Sequence, residues 1–200
     1  MMRFGKALSF SALALVLAAC SGGNSRPVFE GDLSEARNCV TEAEGPIFSE
    51  SFDPTSRNPQ ANAEASAEFL DMVLEQECVF QLPSGLIYRI QTAVADEVSP
   101  ETGDLVTVHY RAIHPNGVAF NDSYAMGDPV TFPSDRLIAA WVEALPLMRV
   151  GENWELYVHP NLGYGPSGTP GGPIGPNEAL VFQLELLALP GLEEDEAEAG

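Results

Sequence analysis

The chain has almost no lysine. Lys6 is the only one among 200 residues, and the formal net charge is −20. Three histidines, at positions 109, 114 and 159, lie far apart in the sequence and lack the spacing of metal ligands. A strongly acidic surface repels phosphate groups and anionic lipid headgroups. We therefore predict no nucleic-acid partner, no metal, no other cofactor and no membrane attachment through a basic surface.

The N-terminus has the three parts of a secretory signal. Arg3 and Lys6 precede an uncharged stretch over residues 7–19, and Cys20 follows two alanines. That stretch is too short for a membrane-spanning helix, which needs about 20 apolar residues. Residues 17–20, Leu-Ala-Ala-Cys, resemble a bacterial lipobox, in which cleavage precedes a cysteine that receives lipid.

We expect residues 1–19 to be removed and Cys20 to carry the lipid. Acyl chains alone would then hold the protein in the cell envelope, facing the periplasm or the cell surface. The alternative is an ordinary signal peptide with an incidental cysteine. The sequence leaves open whether the inner or the outer membrane is the destination.

Cys39 and Cys78 are the two other cysteines. An oxidising compartment would allow them to form one disulfide between the N-terminal region and the domain that follows. Two unpaired thiols are the alternative, and neither cysteine has neighbours that suggest catalysis.

The chain divides by composition into four parts after the signal. Residues 20–61 are polar and rich in Ser, Asn and Pro, and we interpret them as a flexible tether with a short helix near 33–41. Helical spacing of apolar residues predicts a short N-terminal helix within residues 62–81. Residues 82–189 carry β signals, and residues 190–200 form an acidic tail that we expect to be disordered.

Strict alternation marks the strands of the third part. Over residues 104–114, Val106, Val108, Tyr110 and Ala112 fall on one face, and residues 180–186 alternate in the same way. Ser134 and Asp135 are candidate caps for a brief helix that includes residues 137–145. This order predicts an α+β fold, an antiparallel sheet with one short helix packed on a face.

Eight short motifs follow one another through residues 82–189. They are LPSGLIY at 82–88, VTVHY at 106–110, NGVAF at 116–120, LIAAW at 137–141, LMRVG at 147–151, LGYG at 162–165, PN at 176–177 and LVFQLELL at 180–187. In this order and spacing they resemble FKBP-type peptidyl-prolyl isomerase domains of the macrophage infectivity potentiator group. Little helical sequence precedes the motifs, so we do not expect the long dimerising stalk of some relatives, and the oligomeric state stays open.

The resemblance implies a twisted antiparallel sheet wrapped on one short helix, and isomerase activity on proline-containing segments of exported polypeptides. It assigns the catalytic pocket to five aromatic residues, namely Tyr110, Phe120, Trp141, Tyr164 and Phe182. It assigns substrate binding to Asn121, Val130, Leu137, Ile138 and Ile174, with the Ile138 N–H holding a substrate carbonyl.

Without the family pattern, most of these residues would be interpreted as core packing, because they recur at core spacing. The rim also departs from the family. Asn121 stands where a carboxylate is usual, Met126 where Arg is frequent, and Val130 where an aromatic is frequent. We expect activity that is retained but weakened. A non-catalytic chaperone or peptide-binding lipoprotein is one alternative, and a structural envelope lipoprotein is another.

Overall fold

The computed structural model describes residues 32–39, 45–95 and 97–191. The helices are α1 (Ser34–Asn38), α2 (Pro59–Leu74), α3 (Ser123–Met126) and α4 (Ala139–Ala144). The strands are β1 (Phe80–Gln81), β2 (Ile87–Thr92), β3 (Leu105–Ile113), β4 (Ala119–Asp122), β5 (Val130–Pro133), β6 (Asn153–Val158) and β7 (Leu180–Ala188). This arrangement confirms the predicted α+β fold.

The seven strands form one antiparallel sheet in the order β1-β2-β6-β7-β3-β4, and β5 also pairs with β3. The outer edge of β3 is thus shared. Its first half pairs with β5 up to Val108↔Val130, and its second half pairs with β4 from Arg111↔Asp122 onward. Tyr110 lies in the gap between these partners.

A buried hydroxyl fills that gap. The Ser123 Oγ accepts a hydrogen bond from the Tyr110 N–H at 2.8 Å and lies 3.1 Å from the Tyr110 carbonyl oxygen, to which it donates. Unpaired backbone groups inside a protein are costly, so Ser123 replaces the missing strand partner at this point. The side chain of Tyr110 is thereby fixed beside the edge of the sheet.

The two faces of the sheet bury different layers. Tyr88, Leu156 and Phe182 face the larger core, which also contains α4. Ile87 and Val181, one position away, face a second cluster in which α2 packs. Successive side chains of a strand point to opposite faces, and this period places α4 and α2 on opposite sides of the sheet.

The N-terminal segment is attached to the domain, and a flexible tether is therefore wrong for residues 32–39 and 45–61. Leu33, Ala36 and Phe52 are buried. Arg37 forms a 2.7 Å ion pair with Glu152, whose side chain is fully buried, and donates to the Leu147 carbonyl oxygen at 2.8 Å. These contacts come from tertiary packing, which a polar, aperiodic sequence does not reveal.

A second set of contacts holds residues 45–49. The Arg89 guanidinium donates to the Gly45 carbonyl oxygen, and the Tyr157 hydroxyl accepts from the Ile47 N–H. The Ser49 N–H donates to the Pro115 carbonyl oxygen at 2.7 Å. The segment therefore crosses the α2 side of the sheet as an ordered part of the fold.

Two helix starts differ from the sequence-based expectation. Helix α2 begins at Pro59, three residues before the expected start, because the Asn58 side chain accepts from the N–H groups of Gln60 and Ala61. It ends at Leu74, before the expected limit at residue 81. Ser134 and Asp135 do not cap α4, which begins at Ala139 after Ile138 in the N-cap position. The Ser134 hydroxyl instead links Gly103 and Glu101 in a neighbouring turn.

The expected signal peptide, the lipid-carrying Cys20 and residues 192–200 of the acidic tail lie outside the described residues. Along the described ranges, no helix combines the length and the apolar character needed to cross a bilayer. The same ranges contain no cluster of three His, Cys, Asp or Glu side chains suited to a metal ion.

Cys39 and Cys78 form a disulfide with their Cα atoms 5.3 Å apart. The bond closes a loop of 39 residues that contains α2. Cross-linking a loop of this size lowers the entropy of the unfolded chain and stabilises the fold by about 2–4 kcal/mol.

We predict that Cys39→Ser, Cys78→Ser and the double variant each lower the free energy of unfolding by about 2–4 kcal/mol, measured by urea denaturation. The double variant is the control for effects of a free thiol. A double variant as stable as the native protein under oxidising conditions would contradict the prediction.

Candidate functional site

Trp141 is the centre of an aromatic cluster. It lies in α4, is 4% exposed, and its indole meets Tyr110 and Phe182 edge-on, with ring centroids 5.2 and 5.6 Å away. The ring of Phe132 approaches both Trp141 and Tyr110 at 6.4 Å. Edge-to-face packing is a favoured geometry for aromatic rings, so these contacts stabilise the cluster.

Two strands and a helix bring Trp141 and its two nearest aromatic neighbours together. Tyr110 extends from β3 on the face of Val108 and Ala112, as the alternation predicted. Phe182 extends from β7, where it pairs with Ala112. The small side chain of Ala112 leaves room between the two rings, and the first turn of α4 places Trp141 over them.

The remaining predicted apolar residues surround this centre. Phe120, Leu137 and Ile138 are half-buried and pack against the core, and Ile174 is 4% exposed in the same cluster. Val130 is half-buried on the face of β5 that also carries Phe132.

Two unpartnered donors are found at the cluster. Ile138 occupies the N-cap position of α4, where helix N–H groups lack intrahelical acceptors, and its own N–H has no acceptor among the described residues. The Trp141 Nε1–H is buried and is also without a hydrogen-bond partner there. A buried donor such as the Trp141 Nε1–H rarely stays unpaired, which is consistent with a site that receives a ligand with oxygen acceptors.

The hydroxyl of Tyr110 meets two predicted site residues. Burial raises the pKa of Tyr110, the nearby Tyr164 phenol raises it further, and a hydrogen bond with Asn121 lowers it. Tyr164 itself is 40% exposed on the long loop between β6 and β7. The structure thus brings Tyr110, Asn121 and Tyr164 together at the rim of the aromatic cluster.

Asp122 does not take the place of the missing rim carboxylate. Its side chain caps α3 by accepting from the N–H groups of Tyr124 and Ala125, and it forms a 2.7 Å ion pair with Arg111. Burial tends to raise the Asp122 pKa, but these hydrogen bonds and the guanidinium lower it overall. One step along the strand turns the carboxylate away from Tyr110, as the alternation of β4 predicts.

The sequence did not single out two contributors. Phe132 belongs to the cluster, and the alternation of Val130, Thr131 and Phe132 was the available signal. His114 is buried, with its ring centroid 4.7 Å from that of Phe120. Nothing in the local sequence marks His114, because its partners come from distant parts of the chain.

A cluster of aromatic rings with a few polar groups at its edge has the chemical character of a site that binds a hydrophobic ring and desolvates the groups attached to it. Residues 96–187 match the family of FKBP-type peptidyl-prolyl cis-trans isomerases. They form an FKBP-type domain.

Curated relatives support this identification. The peptidyl-prolyl cis-trans isomerase Mip of Coxiella burnetii is 44% identical over 128 residues, which cover 64% of this chain and 55% of that protein. The outer membrane protein MIP of Legionella longbeachae is 37% identical over 134 residues, or 67% of this chain and 57% of that protein. The chain thus spans less than two thirds of the length of these relatives.

Solved structures share the FKBP fold. A peptidyl-prolyl cis-trans isomerase from Pseudomonas syringae superposes with a TM-score of 0.62 at 29% identity, covering 68% of this chain and 98% of that one. The twisted antiparallel sheet wrapped on α4 is therefore that of the FKBP family.

We predict that Asn121→Asp raises the pKa of Tyr110 above its native value. A carboxylate cannot donate to the phenolate and repels its charge, so it favours the protonated phenol. Tyrosine labelled with ¹³C at the ring carbon that bears the hydroxyl, titrated by NMR, reports this pKa. Asp122→Asn is the control and should change it much less, and an unchanged value in Asn121→Asp would show that side chain 121 does not face Tyr110.

Proposed function

We propose that the FKBP-type domain is a peptidyl-prolyl cis-trans isomerase that acts on proline-containing segments of exported polypeptides. The observation that carries the proposal is the aromatic cluster of Tyr110, Trp141 and Phe182, with two unpartnered N–H donors beside it. The names of the relatives point to the same reaction.

The reaction requires little conventional catalytic chemistry. Rotation about an X-Pro bond disrupts amide resonance, with a barrier of about 18–20 kcal/mol. Water stabilises the polar planar amide by hydrogen bonding more than it stabilises the twisted form. A pocket that removes this water and fits the twisted geometry lowers the barrier without a nucleophile, metal or cofactor.

In this proposal the indole of Trp141 forms the floor under the proline ring. Tyr110, Phe120 and Phe182 form the walls, and Phe132 supports two of the rings from behind. The side chains that line the edge are Val130, Leu137, Ile138 and Ile174. All four side chains are aliphatic, so they offer the substrate an apolar, uncharged surface.

Polar contacts orient the peptide in this cleft. The Ile138 N–H donates to a carbonyl oxygen of the substrate beyond the proline. The Tyr164 hydroxyl, exposed at the rim, donates to the carbonyl of the bond that rotates. Asn121 takes part through its contact with the Tyr110 hydroxyl.

The altered rim weakens this activity without removing it. The rotating amide gains no net charge, so a rim carboxylate is not essential to the step. Asn121 still interacts with Tyr110, whereas Met126 is 59% exposed and takes no part in the cluster.

A non-catalytic FKBP-like chaperone is the second candidate. The observation that favours it is the same rim, because Asn121 and Met126 stand where two charged residues, a carboxylate and an arginine, are common in the family. Such a protein would bind proline-containing segments without accelerating their isomerisation.

We propose an envelope location with lipid on Cys20 after removal of residues 1–19. The lipobox-like residues 17–20 support the anchor, and a relative named as an outer membrane protein supports the envelope. The disulfide between Cys39 and Cys78 is consistent with an oxidising compartment.

A matched pair of tyrosines tests the isomerase. Tyr164 and Tyr124 are 40% and 41% exposed, but Tyr124 donates to Glu185 on the outer face of the sheet, away from the cluster. We expect Tyr164→Phe to lower kcat/KM several-fold and Tyr124→Phe to leave it unchanged, in a protease-coupled assay of a proline tetrapeptide. Trp141→Ala should abolish the activity while circular dichroism still reports a folded protein.

If the folded native protein binds the peptide but does not accelerate its isomerisation, the isomerase proposal is wrong and the chaperone is favoured. Equal losses in the two tyrosine variants would exclude Tyr164 from the reaction.

A separate experiment tests the anchor. We expect the full chain, expressed in a bacterium with labelled palmitate, to incorporate the label and to sediment with membranes. Cys20→Ser should remove the label and release the protein into the soluble fraction, whereas Cys39→Ser should keep both properties. A labelled Cys20→Ser variant would contradict the assignment.

A further inference from the structure

Glu178 is a buried carboxylate that the proposed reaction does not use. It lies near the end of the loop between β6 and β7, residues 159–179, which we call the pocket loop because it carries Tyr164 and Ile174. Only 2% of Glu178 is exposed. One carboxylate oxygen accepts from the Gly175 N–H at 2.5 Å, and the other is hydrogen-bonded to the Nδ1 of His114.

His114 connects this carboxylate to the wall of the cleft. It follows β3 in the hairpin that leads to β4, and its N–H and carbonyl oxygen close that hairpin through Val118 and Gly117. Its ring is 4.7 Å from the ring of Phe120. The pair of Glu178 and His114 therefore links the backbone of Gly175, next to Ile174, to the ring of Phe120.

Helix α2 holds the same end of the pocket loop from the other side. The Ser66 hydroxyl donates to the Asn177 carbonyl oxygen at 3.0 Å and accepts from the Ala179 N–H at 2.8 Å. The Asn62 side chain donates to the Pro176 carbonyl oxygen at 2.8 Å. These three bonds fix the two residues before Glu178 and the one after it, so the carboxylate has a defined place.

The interior of the loop is closed onto this support. The Thr169 N–H donates to the Ile174 carbonyl oxygen, and the Thr169 hydroxyl accepts from the Ile174 N–H, both at 3.0 Å. At Gly168, where φ is +57°, an added Cβ would lie 2.3 Å from the Gly175 carbonyl oxygen. The two sides of the loop thus touch at Gly175, the residue that Glu178 binds.

Stability alone does not account for such a pair. Placing a carboxylate and an imidazole in the interior costs desolvation, and well-packed apolar residues of similar volume are often as stable. A pair of hydrogen-bonded groups does fix distance and direction, which apolar contacts do not. We therefore infer that the pair serves to align the pocket loop with the Phe120 side chain.

We propose that Glu178 and His114 are positioning residues for catalysis. They hold Ile174 and, through the pocket loop, Tyr164 at the distance from Phe120 and Trp141 that the bound proline requires. The proposal rests on the proposed isomerase activity, and it adds α2, through Ser66, as a support of the active site.

The test compares Glu178→Ala with Glu155→Ala. Glu155 is also fully buried, and one of its oxygens accepts two side-chain hydrogen bonds, from Arg89 and Tyr157, but neither bond involves a residue of the pocket loop. Both variants should lower the melting temperature. We expect Glu178→Ala alone to lower kcat/KM, by about 10-fold, because small displacements of binding groups cost rate steeply.

Glu178→Gln is the conservative variant. Its amide oxygen can accept from the Gly175 N–H while its NH₂ donates to the Nδ1 of a neutral His114. We expect it to keep most of the activity that Glu178→Ala loses. NMR order parameters give a second readout, in which the amides of Tyr164 and Ile174 become more mobile in Glu178→Ala and stay rigid in Glu155→Ala.

Should Glu178→Ala not fold, Ser66→Ala provides the same test, since it removes two hydrogen bonds from the same end of the loop. Equal activity losses in the Glu178 and Glu155 variants, or an unchanged loop in both Glu178→Ala and Ser66→Ala, would overturn the proposal. An inactive native protein would refute the isomerase, and the NMR comparison would still decide whether Glu178 orders the pocket loop.

Discussion

The structure depends on the two-residue period of its central strands. In β7, Phe182 points to Trp141 and the neighbouring Val181 points to the layer of α2. A shift of one residue in the pairing of β7 with β3 would exchange these faces and destroy both layers at once. The aromatic cleft and the N-terminal helix are therefore consequences of the same register, although they lie on opposite sides of the sheet.

Buried glutamates mark the places where separate parts of the chain are joined. Arg37, Arg89 and His114 are each paired with a glutamate that is at most 2% exposed, at positions 152, 155 and 178. In a chain with a net charge of −20, the guanidinium groups of Arg37 and Arg89 are thus largely buried beside carboxylates. Removing one partner leaves an uncompensated buried carboxylate, so each pair is costly to break even where its net contribution is small. The first two pairs attach residues 37 and 45 to the sheet, and the third attaches the pocket loop to the β3–β4 hairpin.

The alternation of apolar and polar residues predicted the strands and the faces of the sheet, which depend on neighbouring residues in the sequence. The alternation around Tyr110 and Phe182 predicted strands and faces because the period of a strand is visible in the sequence. The attachment of Leu33 and Ala36 was not predictable, because a five-residue helix has no period of its own and is stabilised by the surface it meets. The same limit applies to the site. Trp141 and Phe182 are both 4% exposed, so by pattern and burial they are core residues, and only the family motifs distinguish a pocket from a core.

The altered rim is consistent with a mechanism based on desolvation. Asn121 lies beside the Tyr110 hydroxyl and lowers its pKa, so a polar contact at the rim persists although the charge of a carboxylate is absent. The half-buried Val130 extends the apolar surface in the same direction. In the proposed isomerase, the loss of charge at the rim leaves the aromatic cluster intact. We therefore expect the rate to depend on how completely the pocket loop and the aromatic walls exclude water from the bound proline.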